Sequence, residues 1–183
     1  MLIGGYKIRN IDGIHFVTLT IVEWIGVFTR QEYRDLLLDS LKYCQKEKGL
    51  EIHAWCIMSN HLHMIISAKN SDTSDILRDF KKFTSKKIIK AIIENSKESR
   101  KEWMIKIFEA KGQENSRNKF FQFWIQDNHP VELFSRKFIL QRMNYLHNNP
   151  VKANLVDRAD EYIYSSARDY SGRSKGLLDI VPI

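Results

Sequence analysis

Cysteines, linker-like segments and long apolar runs are scarce in this sequence, and each scarcity excludes a class of protein. Two cysteines are present, Cys44 and Cys56, and neither lies in a CxxC or CxxH spacing. This usage indicates reduced thiols rather than a disulfide scaffold or a cysteine-based zinc site. The first residues lack the apolar core of a signal peptide, and no apolar run approaches the length of a membrane span. We therefore expect a cytoplasmic protein without a membrane partner.

No internal repeat, low-complexity tract or Gly/Ser-rich linker divides the chain. At 183 residues it is long enough to bury a core as one unit. We predict a single domain over residues 1–183, in which 151–183 form a C-terminal tail with short helical pieces. The 29 lysines and arginines exceed the 22 aspartates and glutamates, giving a formal charge of +7. This excess favours polyanionic partners, but alone it concerns association and solubility rather than chemistry.

The periodicity of apolar residues predicts an α+β order of elements. Alternation predicts strands at 15–22, 50–58, 61–68 and 119–126. Three- and four-residue spacing predicts helices at 29–49, 72–95, 102–110 and 131–149. Thr29 would cap the first helix, Asp72 or Ser74 the second, and Pro150 would stop the last. The order predicts a ferredoxin-like or RRM-like antiparallel sheet with packed helices.

Two histidines interrupt the third predicted strand, in the stretch MSNHLHMII. Alternate side chains of a strand share a face, so His61 and His63 point away from the face of Leu62, Met64 and Ile66. Two imidazoles about 7 Å apart along one face can converge on a metal ion. Alternatively, His61 and His63 are ordinary hydrogen-bonded histidines on a sheet face. We expect this ordinary role for His15 and His53. A catalytic metal site would need a third ligand.

The last predicted helix offers that ligand and a nucleophile. Its inward stripe is Ile139, Met143 and Leu146, whereas Tyr145 shares a different face with polar residues, namely Gln141, Arg142 and Asn149. Tyr145 is either an oxygen nucleophile or a ring packed at the sheet edge with its hydroxyl in water. The amide oxygen of Asn149 could complete a divalent-metal site with the two histidines. Ligand preference alone leaves the metal open, because imidazole suits Zn²⁺ better than Mg²⁺.

Basic residues repeat along the second predicted helix, and they are Arg78, Lys81, Lys82, Lys86, Lys87 and Lys90. They form either a solvated helix face or a surface that contacts DNA phosphates. Three aromatic residues downstream, Phe121, Phe123 and Trp124, either stack on unpaired bases or fill the core.

The blocks WCIMSNHLHMII, YLHNNPVKANLV and YSSARDY, in this order, resemble the single-tyrosine HUH transposases, particularly the REP-associated tyrosine transposases. The resemblance implies an HUH motif on a central strand. It implies that His61 and His63 bind Mg²⁺ or Mn²⁺, that Asn149 is the third ligand, and that Tyr145 is the nucleophile. Gln141 and Arg142 would line the phosphate pocket.

The same resemblance implies a metal-dependent transesterification on single-stranded or hairpin DNA, through a 5′-phosphotyrosine link, by a monomer or a homodimer. Two positions depart from the family pattern, because Ser59 replaces a common proline and Asn154 replaces a glycine. Asn149 is also one methylene shorter than the glutamine that the related insertion-sequence branch generally uses at the third metal position. Two alternatives stay open, a non-catalytic module that binds hairpin or single-stranded nucleic acid, and a metallohydrolase that activates water.

Overall fold

The computed structural model describes residues 8, 10–69, 72–115 and 120–183. Four strands form one antiparallel sheet, and they are β1 (His15–Thr20), β2 (Leu50–Ile57), β3 (His61–Ala68) and β4 (Val131–Glu132). Their spatial order is β2-β3-β1-β4, so β1 and β3 are central. This is the strand order of a ferredoxin-like sheet, and the predicted α+β fold class is confirmed.

Helices cover both faces of this sheet. The helices are α1 (Gln31–Lys48), α2 (Thr73–Glu94), α3 (Lys101–Gln113), α4 (Arg136–Lys152) and the short α5 (Ala167–Tyr170). Short 3₁₀ turns lie at Val22–Trp24, Val27–Thr29 and Ala159–Glu161. Helices α1, α2 and α3 pack on one face, while α4 packs on the other. No helix in the described part of the chain is both long and apolar enough to cross a membrane.

The alternation read from the sequence sorts the side chains between these two faces as predicted. Leu62, Met64 and Ile66 of β3 lie in the core beneath α1 and α2. Ile65 lies in the smaller core beneath α4, which also contains Phe16 of β1. Because side chains alternate along a strand, His61 and His63 share the α4 face with Ile65. The fold therefore presents both imidazoles to the helix that carries Tyr145.

The predicted strand at 119–126 is wrong over its described residues, 120–126. Here only Trp124 pairs, through an isolated bridge to Ile21, and residue 119 lies outside the described residues. The aromatic side chains of this segment pack into the core instead, since Phe123 and Trp124 are buried. The fourth strand comes later, where Val131 and Glu132 pair with the start of β1.

Helix α4 also differs from its prediction at both ends. It begins at Arg136 with Ser135 as its N-cap, which accepts a hydrogen bond from the Phe138 amide. It continues through the buried Pro150 to Lys152. Proline costs one intrahelical bond because it has no amide hydrogen, and one loss in a last turn is tolerated when the ring is buried. The preference against helix before proline is therefore overridden by packing.

The predicted caps of α1 and α2 agree with the structure in part. Asp72 caps α2 by accepting a hydrogen bond from the Ser74 amide, as predicted. Gly49, the last residue of the predicted helix 29–49, ends α1 in the left-handed conformation with φ of 72°. Thr29 does not cap α1, because its hydroxyl donates to the Gly26 carbonyl and α1 starts after Arg30.

A buried carboxylate ties the starts of α1 and α3 together. The Glu98 side chain is fully buried, and it accepts hydrogen bonds from the guanidinium groups of Arg30 and Arg100 at 2.9–3.0 Å. The Tyr33 hydroxyl donates to the same carboxylate at 3.4 Å. The Arg100 guanidinium in turn donates to the Gly26 carbonyl at 2.8 Å. The hydrogen bonds from Arg100 are the main cause that lowers the pKa of Glu98 to about 2.

Candidate active site

The two imidazoles of β3 lie side by side at the start of this central strand. The ring centres of His61 and His63 are 4.6 Å apart, with the rings nearly perpendicular. His63 is buried and His61 is half-buried. Burial lowers the pKa of His61 to about 4 and that of His63 to about 3, where the neighbouring His61 adds to the effect. Both rings are thus neutral near pH 7, the state in which imidazole binds a metal.

A hydrogen bond orients each of the two rings. The Thr18 hydroxyl, on the neighbouring β1 directly opposite His63, lies 2.8 Å from His63 Nδ1. The Asn60 side-chain oxygen lies 2.6 Å from His61 Nδ1 and accepts a hydrogen bond from it. Among the described residues neither Nε2 atom has a hydrogen-bond partner. Partners on one ring nitrogen fix the ring and leave the other nitrogen for a metal, as is usual for histidines that bind metal ions.

Tyr145 comes from α4 and meets the histidines edge-on. Its ring centre lies 5.5 Å from that of His63 and 6.0 Å from that of Phe16. The side chain remains 41% exposed. The ammonium of Lys152, two turns further along α4, lies 5.5 Å from the centre of the Tyr145 ring. An accessible phenol, two imidazoles and a cation therefore meet on one face of the sheet.

Three other residues predicted for the site also lie on α4. Asn149 is half-buried, and its side-chain nitrogen donates to the Tyr145 carbonyl at 3.1 Å. Arg142 places its guanidinium 5.4 Å from the centre of the Phe16 ring, and its buried Nε has no hydrogen-bond partner in the described residues. Gln141 is exposed. An orphaned buried guanidinium nitrogen is costly, so Arg142 is suited to an anionic ligand.

The side chains that could act as ligands show whether a divalent ion suits this site. No group of three histidine, cysteine, aspartate or glutamate side chains in the described residues is arranged to hold a metal. The predicted third ligand, Asn149 on α4, would supply a neutral amide oxygen. Its Oδ1 has no hydrogen-bond partner in the described residues, because its contact to Tyr145 uses the amide nitrogen. Two neutral imidazoles and one amide oxygen fit a divalent ion that completes its shell with water or phosphate oxygens.

The basic residues of α2 divide into two groups. Lys81 is half-buried and donates to the carbonyls of Ile125 and Gln126 and to the Asn128 side chain at 2.7–3.0 Å. All three of its N–H groups are used, and burial lowers its pKa to about 8. Lys81 thus fastens the 125–128 segment to α2. The Asn128 carbonyl in turn accepts a hydrogen bond from the Thr18 amide, next to the histidine site.

The other basic side chains of α2 are exposed. The guanidinium of Arg78 pairs with Asp75 and Asp79, and Lys87 lies over the Phe83 ring. Lys82, Lys86 and Lys90 line a groove of about 1430 Å³ between α2 and the 120–130 segment. The aromatic residues of that segment differ in exposure. Phe123 and Trp124 are core residues, with the Trp124 indole donating to the Thr84 hydroxyl at 3.0 Å, whereas Phe120 is exposed.

Other histidines of the chain have structural partners. His53 bonds the Val181 carbonyl and the Ser67 hydroxyl, and His15 bonds the Gly13 carbonyl. The ordinary structural role predicted for these two is therefore confirmed. His147, although on α4, lies 2.8 Å from the Ser166 hydroxyl and is buried.

One residue beside the histidines has no counterpart in the sequence predictions. Trp24 is 63% exposed, and its ring centre lies 6.1 Å from that of His61. It lies in a 3₁₀ turn in which Glu23 and Trp24 both have positive φ, 51° and 54°. Residues other than glycine rarely adopt this backbone conformation, which costs about 1 kcal/mol or more per residue. Irregular turns have no apolar periodicity, so no sequence pattern identifies Trp24.

Comparisons with known proteins agree with this architecture. A family model described as "Transposase IS200 like" matches residues 13–128. This match includes both histidines and ends before Tyr145. No curated protein matches the chain.

Two solved structures that match the chain have low sequence identity to it, and the first of them shares its fold. One is a REP-associated tyrosine transposase bound to a REP hairpin, with a TM-score of 0.67, 15% identity, and coverage of 98% of this chain and 95% of that one. Another is a candidate transposase from Deinococcus radiodurans R1, with a TM-score of 0.43, 15% identity, and coverage of 81% of this chain and 97% of that one.

Proposed function

The chain belongs to the IS200-like transposase family, and on that premise we propose that it is a metal-dependent single-stranded DNA endonuclease and strand transferase. The observation that carries this proposal is the distance of 5.5 Å between the ring centres of His63 and Tyr145. A phenol beside two neutral imidazoles combines a nucleophile with a metal-binding pair. The sequence predicted both parts on separate segments, and the fold supports their joint action.

In this proposal the Tyr145 oxygen attacks the scissile phosphorus and loses its proton to solvent. A bond forms between the phenol oxygen and the phosphorus, the bond to the 3′ oxygen of the leaving strand breaks, and that oxygen takes up a proton from solvent. The products are a 5′-phosphotyrosine link and a free 3′-OH. A second 3′-OH then attacks the same phosphorus and releases Tyr145, so that strands are exchanged without an external energy source. Lys152 and Arg142 supply positive charge at the phosphate, which stabilises the charge that develops on its oxygens.

The proposed cofactor is Mg²⁺ or Mn²⁺ held by His61, His63 and Asn149. When bound, the ion polarises the phosphate oxygens and stabilises their developing charge. Thr18 and Asn60 hold the imidazoles for this purpose from the far side of each ring.

The proposed partner is single-stranded DNA that carries a hairpin, met in the cytoplasm. The similar structure with a REP hairpin bound supports this choice. The formal charge of +7 and the exposed lysines Lys82 and Lys86 support it on electrostatic grounds. Lys81 is left out of this proposed DNA surface because its N–H groups are already used.

The His63→Ala variant is expected to lose metal binding and metal-dependent cleavage together. With one imidazole gone, the remaining ligands should hold Mn²⁺ at least 10- to 100-fold more weakly, roughly the loss seen when even an outer-shell partner is removed. Isothermal titration with Mn²⁺ measures the affinity, and a labelled hairpin oligonucleotide on a denaturing gel measures label that travels with the protein.

The matched control for this test is His129→Ala, which removes an exposed imidazole beside Asp127. It should bind Mn²⁺ and form the adduct like the native chain. Native protein in excess EDTA should behave as His63→Ala does. Adduct formation at the native rate in EDTA would reject metal dependence.

Replacing Lys82 and Lys86 with glutamine is expected to flatten the salt dependence of DNA binding. Each phosphate contact that is removed lowers the slope of log K against log salt concentration by roughly 0.7–0.9. Fluorescence anisotropy of a labelled oligonucleotide at several salt concentrations measures this slope. The control is Lys46→Gln on α1, whose ammonium pairs with Glu47 on the surface. An unchanged slope in both variants would mean that the α2 lysines face only solvent.

A further inference from the structure

We infer that Trp24 is a stacking platform for one unpaired base of the DNA strand that enters the histidine site. This inference rests on the proposed function and deepens it, by assigning a base-binding position next to the scissile phosphate. The position is distinct from the lysines of α2 and from the phosphate-facing residues of α4.

The first support is exposure next to the site. A tryptophan that is 63% exposed presents a large aromatic face that a ligand can cover. The ring centre of Trp24 lies 6.1 Å from that of His61, while His61 lies 4.6 Å from His63. A strand whose phosphate reaches the imidazoles therefore passes Trp24 within the length of a nucleotide.

The second support is that the backbone is held in an unfavourable conformation. Glu23 and Trp24 are consecutive residues with positive φ, and neither is glycine. The Glu23 carboxylate pairs with the Lys111 ammonium of α3 at 2.9 Å, and the Trp24 amide donates to the Ile21 carbonyl at 3.1 Å. Such conformations persist where surrounding contacts enforce them, and they concentrate at ligand sites.

The third support is a direct link to a proposed metal ligand. The Asn60 side chain donates from its nitrogen to the Trp24 carbonyl at 3.1 Å, and its oxygen accepts from His61 at 2.6 Å. One amide thus fixes the tryptophan turn and the imidazole relative to each other. A nucleobase is the ligand that suits this geometry, because every base has a π-face and stacking on an aromatic ring is tolerant of sequence.

The test uses the Tyr145→Phe chain, which keeps the DNA uncut, and an oligonucleotide with a hairpin and a single-stranded flank. Each flank nucleotide is replaced in turn by an abasic residue, and binding is followed by fluorescence anisotropy. With Trp24 present, an abasic residue at one position should weaken binding about 10- to 100-fold. The Trp24→Ala substitution should weaken binding of the intact oligonucleotide by the same factor. The affinity of this variant should then be unchanged by an abasic residue at that position.

Two further variants separate stacking from a structural role. Trp24→Tyr should retain most of the affinity and the abasic response, whereas Trp24→Leu should behave as Trp24→Ala. Trp103→Ala, which removes another exposed tryptophan from α3, is the matched control and should bind as the parent chain does.

The outcomes distinguish a failure of the Trp24 inference from a failure of the proposed function. The inference alone would be overturned if the parent chain and its Trp24→Ala variant were equally sensitive to every abasic position, while the native chain bound tightly and formed an adduct. Absence of oligonucleotide binding and of adduct in the native chain would overturn the proposed function as well. If Trp24→Ala does not fold, the comparison of Trp24→Tyr with Trp24→Leu decides the question.

Discussion

Replacing Tyr145 with phenylalanine is expected to abolish the covalent protein–DNA product while DNA affinity stays within a few-fold of that of the native chain. The substitution removes one oxygen atom and keeps the ring. The ring contacts with His63 and Phe16 at 5.5 and 6.0 Å therefore remain. Loss of a nucleophile removes the bond-forming atom itself, so the rate should fall by roughly 10⁴-fold or more.

The matched control is Tyr43→Phe on α1. Tyr43 is 58% exposed and lies on the helical layer opposite α4, so loss of its hydroxyl should leave adduct formation unchanged. The readout is a denaturing gel of a labelled hairpin oligonucleotide with Mn²⁺. An adduct that persists in Tyr145→Phe would assign the nucleophile to another residue. Cleavage without any adduct would favour a metallohydrolase, and binding with neither product would favour a non-catalytic module.

The Glu98→Ala variant is expected to lose about 1.5–3 kcal/mol of unfolding free energy at pH 7, because it loses hydrogen bonds to a charged group while the arginines left behind are partly exposed. The fully buried carboxylate lies between the guanidinium groups of Arg30 and Arg100. Its removal leaves two arginines without their common partner and breaks the link between the starts of α1 and α3. Urea unfolding followed by circular dichroism measures the loss. Glu47→Ala, which breaks an exposed pair with Lys46, is the control and should change stability by roughly 0.5 kcal/mol or less.

The pH dependence of stability in the native chain and in Glu98→Ala gives an independent check on the role of this carboxylate. Hydrogen bonds from Arg100, followed in smaller measure by those from Arg30, lower the pKa of Glu98 to about 2 in the folded state, against about 4.3 in an unfolded chain. The ionised carboxylate therefore stabilises the fold fully above about pH 4.5. This contribution is lost as the pH falls towards 2. The difference between native and Glu98→Ala stability should shrink over that window, and a constant difference would contradict the role of its charge.

The sequence was sufficient to predict the elements that are determined by local patterns of residues. β3 has the predicted bounds, and α2 begins after the predicted Asp72 cap, because alternation and helical spacing are local signals. The segment at 120–126 was predicted wrongly because its aromatic residues suit a strand and a core equally well. Its conformation depends on β1, about 100 residues away, whose start pairs with Val131 and Glu132 and whose last residue, Thr20, accepts a hydrogen bond from the Ile125 amide.

The candidate site shows the same division. The His61 and His63 spacing and the isolated Tyr145 were visible in the sequence, but the contact between them depends on how α4 packs. Lys81 looked like its neighbours on a basic helix, and only the position of the 125–128 carbonyls shows that its charge is engaged. Trp24 was not visible at all, since its exposure follows from two residues with positive φ in a short turn.

The packing of α4 on the sheet of its own chain has a consequence for mixtures of variants. Under the proposed chemistry, the phenol and both imidazoles of one site come from the same polypeptide. A mixture of Tyr145→Phe chains with His63→Ala chains should therefore not regain adduct formation, because each site still lacks either the phenol or one imidazole.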